Sequence, residues 1–368
     1  MSRKPSEARF TGSAKVAQQS FAKTCESVLA QLKQAKKDAE FALGILRKRP
    51  FQVLVQVTNR CNMKCSFCDF WPNGVPRDQE LSTDDYRKLA DDLGELGCFL
   101  VSIEGGEPFI RADLVEIVRA FGKKHIPVLY TNGWSVTDDN ARALFDAGLV
   151  HACVSIDYPD AERHDRKRVL EGAFDRAWRA LDTFRDASER KDKQVHVMTV
   201  LMEDNWRDLG KLLAMSKSHG VGHQITLLSK TGYRRGKSLI DALPAREMPA
   251  HMLELWDQHD HLHFFRDYFE EMKAFLSGGD LPKCRAGLQS FNVDHVGNVS
   301  PCIEKIDSIV GNVRETSLQE LHRRMTVDRA EIDGCQQCWT ACRGFNQAMG
   351  NGGSPRAWLD LGTRMRSS

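Results

Sequence analysis

Residues 51–230 alternate short apolar segments with amphipathic segments of helical period, and this alternation restricts the possible folds more than any other feature of the chain. Parallel neighbouring strands need a crossover connection, usually a helix, between them. The predicted strands are 52–58, 99–103, 128–131, 152–156, 195–201 and 224–228. The predicted helices are 83–96, 112–125, 138–147, 173–187 and 206–219. The chain is therefore predicted to form a parallel α/β sheet, either as a partial barrel or as a doubly wound sheet.

Three cysteines follow the first predicted strand, in the segment Cys-Asn-Met-Lys-Cys-Ser-Phe-Cys of residues 61–68. Cys61, Cys65 and Cys68 can ligate three irons of a cubane cluster and leave the fourth iron open to a small molecule. The alternative is a zinc site, which needs a fourth protein ligand. Because no Cys or His occurs between Cys68 and Cys98, the ligand count favours the iron–sulfur cluster.

This Cys-x3-Cys-x2-Cys loop resembles the signature of the radical S-adenosylmethionine (SAM) superfamily. The resemblance implies a partial (β/α)6 TIM-type barrel and a 4Fe–4S cluster held by three cysteines and by an exchangeable SAM. It also implies roles for residues near the loop. Phe67 would pack against the SAM adenine, and the Gly105-Gly106-Glu107 segment at the end of the second strand would contact the methionine amino group.

Further SAM contacts are expected at the carboxyl ends of later strands, where parallel α/β folds bind their ligands. Asn132 can meet SAM or cap the next helix. The stretch from Ser155 to Phe174 resembles the Ser-x-Asp…His-Asp…Arg…Gly-x-Phe pattern of the peptide-modifying and sulfatase-maturing branch. There the equivalents of Ser155 and Arg168 bind SAM, the arginine through its bidentate fork. Asp157 can bind a ribose hydroxyl or cap the following helix, and the Leu228 backbone would bracket the adenine.

A second set of five cysteines follows the predicted barrel: Cys284, Cys302, Cys335, Cys338 and Cys342. Their spacing is similar to the twitch auxiliary-cluster module and, less fully, to the larger SPASM module. Five cysteines support one auxiliary 4Fe–4S cluster with one thiol to spare. The favoured ligand set omits Cys342, and the alternative set uses Cys342 in place of Cys335. A zinc ribbon has compatible spacing and is a further alternative.

The resemblance implies an enzyme that reductively cleaves SAM to a 5′-deoxyadenosyl radical and abstracts hydrogen from an organic substrate. The first hypothesis is oxidation or rearrangement of a small molecule in natural-product biosynthesis, with the auxiliary cluster taking or relaying an electron. The second is radical modification of a peptide or protein side chain. The third is a non-catalytic iron–sulfur electron carrier. Sulfatase-maturing relatives have an Asp directly after the equivalent of Cys302, whereas this chain has Ile303, so Glu304 is the remaining candidate base.

The charge of the chain is small overall and unevenly distributed. The net charge is +2, which predicts no general affinity for nucleic acid. Residues 1–50 carry 11 Lys and Arg against 4 acids, or +7, so the remainder carries −5. The chain has no apolar signal segment or membrane span by sequence, which predicts a reducing cytoplasm. A flavodoxin or ferredoxin is the expected low-potential reductant.

The N-terminal segment carries a narrow apolar stripe at alternating steps of four and three residues: Phe21, Cys25, Val28, Leu32, Ala35, Ala39, Ala42 and Leu46. This period predicts a long amphipathic helix that ends before Pro50. Three interpretations remain open, namely packing against the barrel, helical self-association, and contact of a basic face with an anionic membrane or partner.

The predicted organisation has five parts. They are a basic amphipathic N-terminal extension (1–50), the barrel (51–235), a bridging helix (246–280), a small α+β auxiliary-cluster module (281–348) and a flexible tail (349–368).

Overall fold

The computed structural model describes residues 31–188, 193–233, 242–327 and 329–364. Six parallel strands form the barrel: β1 (Gln52–Thr58), β2 (Leu100–Gly105), β3 (Ile126–Thr131), β4 (His151–Ser155), β5 (Gln194–Leu201) and β6 (Gly222–Leu227). They lie in the order β6-β5-β4-β3-β2-β1, so each strand pairs with its neighbours in sequence. The predicted partial (β/α)6 barrel is confirmed.

The helices are distributed around and beyond this sheet. They are α1 (31–46), α2 (Thr83–Leu96), α3 (Leu114–Gly122), α4 (Asp138–Asp146), α5 (Ala161–Arg168), α6 (Ala173–Ala187), α7 (Leu209–Ser218), α8 (Met248–Gln258), α9 (Arg266–Leu276), α10 (Leu318–Val327), α11 (Ala330–Asp333), α12 (Ala341–Met349) and α13 (Pro355–Thr363). Local sequence determines where some of these helices begin. Ser82 and Asp85 form a capping box at α2, and Thr137 and Asn140 form one at α4.

The C-terminal module continues the sheet of the barrel. Strand β7 (Ser290–Val293) pairs in parallel with β1, and the short strands β8 (Asn298–Ser300) and β9 (Gly311–Asn312) follow in antiparallel order. The hairpin of β7 and β8 places Cys302 two residues after the end of β8. Its pairing with β1 fixes the module against the barrel.

Helix α12 bridges the first and last strands of the barrel, β1 and β6. At one side, the Ala341 backbone N–H donates to the Thr226 hydroxyl of β6 at 3.0 Å. At the other side, Asn346 Nδ2 donates to Gln52 Oε1 of β1 at 3.0 Å. The Phe345 ring packs on Phe51 with ring centroids 5.7 Å apart. The helix therefore bridges β1 and β6, and Cys342 near its start faces the barrel interior.

Two of the predicted elements differ from the structure. The predicted bridging helix over 246–280 is two helices, α8 and α9, because His259–Phe265 leave the helical path. His263 N–H instead donates to the His223 carbonyl at 2.8 Å, as part of a short bridge with β6. Residues 355–363 of the predicted flexible tail form α13, which Ser354 caps by accepting from the Ala357 N–H. Residues 365–368 lie outside the described part of the chain.

Helix α1 packs against the barrel, but not through the predicted stripe. Its buried side chains are Gln34, Phe41 and Ile45. Phe41 and Ile45 are larger than the stripe alanines, and Phe41 packs on Phe51 just before β1, so these two side chains determine which face is buried. Leu32 and Leu46 of the stripe are 62% and 55% exposed. Phe21, Cys25 and Val28 lie outside the described residues.

Candidate functional site

The three-cysteine loop lies at the carboxyl end of β1, packed against the ends of β5 and β6. Cys65 and Phe67 belong to one apolar cluster with Val200 and Leu228, and Cys61 and Cys68 pack at its edge. Burial raises the pKa of Cys61 to about 12 and that of Cys65 to about 11. Cys61 and Cys65 are thus protonated thiols in an apolar setting, and a cationic iron centre would displace their protons.

Gly105 and Gly106 pack against the backbone that leads into the cysteine loop, so they do not leave open space for a ligand. Gly105 has φ of 138°, and a side chain at Gly105 or Gly106 would overlap the backbone carbonyls of Thr58 and Arg60. Gly106 N–H donates to the Thr58 carbonyl at 2.7 Å, and Glu107 N–H donates to the Arg60 carbonyl at 2.9 Å. The end of β2 therefore fixes Thr58 and Arg60 in the segment that leads into Cys61.

Glu107 is buried between the second and third strands. Its carboxylate accepts from the Thr131 hydroxyl at 2.7 Å and from the Asn132 N–H at 2.8 Å. Burial raises the pKa of Glu107, and the hydrogen bond from Asn132 opposes this shift. These contacts hold the carboxylate in one orientation, as a group that binds an ammonium ion requires.

Arg168 and Asp157 form a buried ion pair beside the cysteine loop. Arg168 Nη2 donates to Asp157 Oδ2 at 2.5 Å, and Asp157 Oδ1 accepts from the Val200 N–H at 2.9 Å. The guanidinium lies 5.7 Å from the centre of the Phe67 ring. Asp157 does not cap the next helix, because Asp160 is the residue that caps α5.

The remaining predicted SAM residues lie along the same edge of the sheet. Asn132 donates through Nδ2 to Asn62 Oδ1 at 2.8 Å, so it contacts the cysteine loop. It does not cap α4, whose N-cap is Thr137. Ser155 is half-buried and ends β4, opposite Met198 of β5. The structure gathers all of these side chains at one edge, and their contacts with SAM stay predictions.

The five C-terminal cysteines converge beside the barrel. Burial is the main cause that raises the pKa of Cys302 and that of Cys338. The thiols of Cys338, Cys284 and Cys342 also raise the pKa of Cys302, and Cys284 also raises that of Cys338. Cys302 and Cys335 pack against the apolar cluster that contains Cys284. Cys342 packs instead with the cluster of Leu54, Phe70 and Ile303, and its thiol lies 3.5 Å from Gln52 Oε1.

Glu304 and Glu104 border these cysteines from the barrel side. Both side chains are buried, with 7% and 5% exposure. Glu304 helps to raise the pKa of Cys338, which burial takes to about 12. Glu104 acts in the same direction on Cys342. The geometry thus places two carboxyl groups at the boundary between the auxiliary cysteines and the barrel interior.

Two arginines that the sequence analysis missed tie the cysteine segments together. Arg343 Nη1 donates to the Cys335 carbonyl at 2.9 Å, and its Nη2 donates to the Pro282 carbonyl at 2.8 Å. Arg329 Nη2 donates to the Cys284 carbonyl at 2.9 Å. Both arginines donate to backbone carbonyl groups, which every residue has. The sequence therefore contains no motif that would indicate these contacts.

A buried acid, Glu80, anchors the strand that precedes the first cysteine loop. Arg60 donates to it through Nε at 3.1 Å and through Nη2 at 3.0 Å, and Thr58 donates through its hydroxyl. Arg111 lies 3.6 Å from the same carboxylate. Arg60 directly precedes Cys61, so this network sets the direction in which the chain enters the loop.

Comparison with protein families supports both cysteine sites. A model described as the radical SAM superfamily matches residues 55–215. A SPASM model, described as an iron–sulfur cluster-binding domain, matches residues 284–342. The chain contains a radical SAM domain followed by a SPASM domain. The homologues of this radical SAM protein are enzymes, so it is an enzyme and the hypothesis of an electron carrier is set aside.

Individual relatives agree with this assignment. The chain is 27% identical over 320 residues to an AdoMet-dependent heme synthase from Oleidesulfovibrio alaskensis, covering 77% of this chain and 78% of the synthase. It is 36% identical over 128 residues to a PqqA peptide cyclase from Methylocella silvestris, covering 34% of each. The crystal structure of Streptococcus suis SuiB bound to precursor peptide SuiA matches with a TM-score of 0.61 and 16% identity, covering 92% of this chain and 77% of SuiB. The last match shows the fold.

The cofactors of this radical SAM protein are a 4Fe–4S cluster and SAM in the radical SAM domain, together with auxiliary iron–sulfur clusters in the SPASM domain. These cofactors replace the zinc alternatives, and the residues fit them. Cys61, Cys65 and Cys68 offer three soft thiol donors with no fourth ligand beside them in the sequence. Arg168 is buried, and its Nε has no acceptor among the described residues, so one N–H of the fork is available to a carboxylate. The ligand assignments themselves stay predictions.

The described residues form neither a compact site for a single metal ion nor a helix that could span a membrane. No three His, Cys, Asp or Glu side chains in that part of the chain converge on a point suited to a single metal ion. A cubane cluster does not require such convergence, because each thiolate binds a different iron. None of the described helices combines the length and apolar character needed to cross a bilayer.

A cavity of about 800 Å³ occupies the barrel lumen. Gln194 and Val200, at opposite ends of β5, both line it, so it extends about 20 Å along the barrel, at about 3.3 Å per residue. Its inner end is bordered by Glu104, Glu304 and Cys342. Val200 also belongs to the apolar cluster of the first cysteine loop. The cavity therefore reaches both cysteine sites.

Proposed function

We propose that this radical SAM enzyme oxidises a small organic molecule bound in the barrel lumen. The observation that carries the proposal is the cavity of about 800 Å³, which ends between the two cysteine sites. Its volume lies within the range of small-molecule sites. A substrate held there would place one carbon near the SAM edge and a polar group near Glu304.

The cavity lining indicates the chemical class of the substrate. None of the described residues that line it is Lys or Arg. Its charged side chains are acids, and the amides of Gln52, Gln194 and Gln224 also face it. A phosphate or carboxylate group would be buried there without a cation, which is costly. The lining favours a neutral or amine-bearing substrate with hydroxyl or amide groups.

The residues of the chain have separable tasks in this proposal. When bound, SAM and its cluster supply the radical that removes a hydrogen atom, and the auxiliary cluster supplies an electron acceptor. Arg168 would bind the SAM carboxylate, and Glu107 would bind its ammonium group. Glu304 would accept the proton that the oxidised substrate loses. A flavodoxin or ferredoxin remains the expected reductant.

The proposal is tested by separating substrate binding from SAM cleavage. The reconstituted anaerobic enzyme is incubated with reductant, SAM and a cell extract divided into small-molecule and peptide fractions, and 5′-deoxyadenosine is measured. Ser102 is buried in β2 and lines the lumen. Ser102→Phe should abolish the stimulation by the small-molecule fraction and leave the uncoupled SAM cleavage. The exposed variant Arg87→Ala is the matched control.

A second candidate function is the modification of a peptide side chain. The similarity to a PqqA peptide cyclase favours it, together with the Ser155-to-Arg168 pattern. In that case the peptide fraction alone would stimulate 5′-deoxyadenosine release, and this result would overturn the first proposal.

A further inference from the structure

Helix α1 presents a buried face and, on its opposite side, an exposed apolar face. At 100° per residue, its buried face contains Gln34, Phe41 and Ile45. The outward face is an apolar stripe, here called the leucine stripe: Leu32, Ala35, Ala39, Leu43 and Leu46. The three leucines are 62%, 46% and 55% exposed, in that order. Three of the eight large exposed apolar side chains in the described part of the chain therefore lie on one helix.

A basic groove borders the leucine stripe. The groove has a volume of about 1070 Å³ and runs between α1 and the carboxyl ends of α3 and α4. Ten of the described residues that line it are basic, among them Lys33, Lys36, Arg47, Lys123 and Arg142. The lining acids are Glu40 and Asp146. Arg119 pairs with Glu116 and Lys124 with Asp91, yet the groove keeps a large positive excess.

The lumen cavity opens beside the same stripe. Among the described residues that line the cavity, only Ala35 and Ala39 of α1 and Gly362 of α13 are exposed to solvent. Leu359, on the outer side of α13, is 63% exposed. The cavity mouth, the leucine stripe and the basic groove thus adjoin one another on the face of the barrel remote from the SAM site.

We propose that this face docks on an anionic phospholipid bilayer. Basic side chains beside an exposed apolar stripe match the headgroup and acyl layers of such a surface, with the helix lying in the interface plane. Residues 1–30 carry five Lys and Arg against two acids, so this segment does not have the charge to neutralise the groove. An acidic protein would complement the positive charge of the groove, but its charge would not account for the exposed leucines of the stripe.

The docking does not depend on the proposed reaction. It places the cavity mouth against the bilayer and leaves the two cysteine sites facing the aqueous side. The stripe has two alanines among its five residues, so the binding is expected to depend on electrostatic attraction more than on deep insertion. Binding should therefore weaken steeply with salt.

The test is flotation of the reconstituted full-length enzyme with lipid vesicles. Vesicles of phosphatidylcholine alone are compared with vesicles that also contain one quarter phosphatidylglycerol. We expect binding to the anionic vesicles at about 0.05 M salt and release at about 0.5 M salt. The exposed triple variant Lys33→Glu/Lys36→Glu/Arg47→Glu should lower the apparent affinity at least about tenfold.

Two further variants separate the apolar contribution from the charge. Leu43→Ser/Leu46→Ser changes exposed side chains and should lower the affinity severalfold without unfolding the protein. Arg87→Glu/Lys88→Glu on α2 and the exposed Ile309→Ser are controls, and they should bind within about twofold of the wild type. Absence of binding, equal binding to neutral vesicles, or an unaffected triple variant would overturn the proposal. A dimer that the leucine variant dissociates, with no vesicle binding, would instead assign the stripe to self-association.

Discussion

Arg168 donates one N–H of its guanidinium to Asp157, and its buried Nε has no acceptor among the described residues. Asp157 thus orients the guanidinium group of Arg168 and leaves its Nε–H available to a further acceptor. This arrangement supports the predicted role of Arg168 in binding the SAM carboxylate.

The first prediction concerns this fork. Arg168→Lys keeps a positive charge near Asp157 but loses the planar pair of donors. We expect SAM affinity to fall about ten- to hundredfold, since a charge-assisted hydrogen bond contributes about 1.5–3 kcal/mol. Equilibrium binding of SAM to the reconstituted protein measures the effect. Arg166→Lys, exposed on the same helix, is the control, and an unchanged affinity in Arg168→Lys would remove Arg168 from the SAM site.

The second prediction concerns Glu80, which is fully buried between arginines. Glu80→Gln leaves Arg111 buried with less compensating charge, so we expect the free energy of unfolding to fall by about 3 kcal/mol. Since Arg60 loses its partner next to Cys61, iron incorporation into the first site should also fall. Chemical denaturation and iron analysis check the two effects. Asp84→Asn, at an exposed site on α2, should change neither.

The strands could be predicted from the sequence because each is a short apolar run between helical segments. All six predicted strands overlap the observed ones, and β1 has the predicted bounds. The residues at the strand ends could be placed together for the same reason, since parallel topology brings those ends to one edge. Glu107 and Asn132, which are hydrogen-bonded, are an example.

Other features depend on contacts between distant segments and could not be predicted. The buried face of α1 is set by Phe41, which packs on Phe51, and by Ile45, whereas the period of the smaller residues indicated the opposite face. Helix α12 bridges β1 and β6 through contacts with Gln52 and Thr226. Those contacts join residues far apart in the sequence, and a local pattern does not contain them.

The third prediction concerns acid stability. His125 is buried, with Nε2–H donating to the Ala90 carbonyl and Nδ1 accepting from the Phe99 N–H. Burial lowers its pKa to about 4. As the pH falls, His125 is therefore protonated in the unfolded chain before it is protonated in the folded protein. The contribution of neutral His125 to the free energy of unfolding is complete above about pH 6.5 and is lost as the pH falls toward 4. Burial likewise lowers the pKa of His151 to about 4.

Urea denaturation measures this pH dependence. When the pH is lowered from about 7.5 to about 5.5, each of these two histidines should reduce the free energy of unfolding by about 1 kcal/mol. His125→Gln should be less stable at neutral pH but should show a smaller slope with pH. Val118→Ala, at a buried position on α3 without a titratable group, should keep the wild-type slope. A wild-type slope in His125→Gln would contradict the prediction.

The fourth prediction concerns which thiols bind the auxiliary cluster. Cys335 packs with the apolar cluster of Cys284 and Cys302, whereas Cys342 packs with a separate cluster and contacts Gln52. We therefore expect Cys335→Ala to lose about four irons per chain, from a wild-type content of about eight for two cubane clusters. Cys342→Ala should keep the wild-type iron content, because its thiol faces the lumen. Iron and sulfide analysis of the anaerobically reconstituted variants measures both. Loss of four irons in Cys342→Ala and their retention in Cys335→Ala would establish the alternative set, and Cys98→Ala, buried away from both sites, controls for general instability.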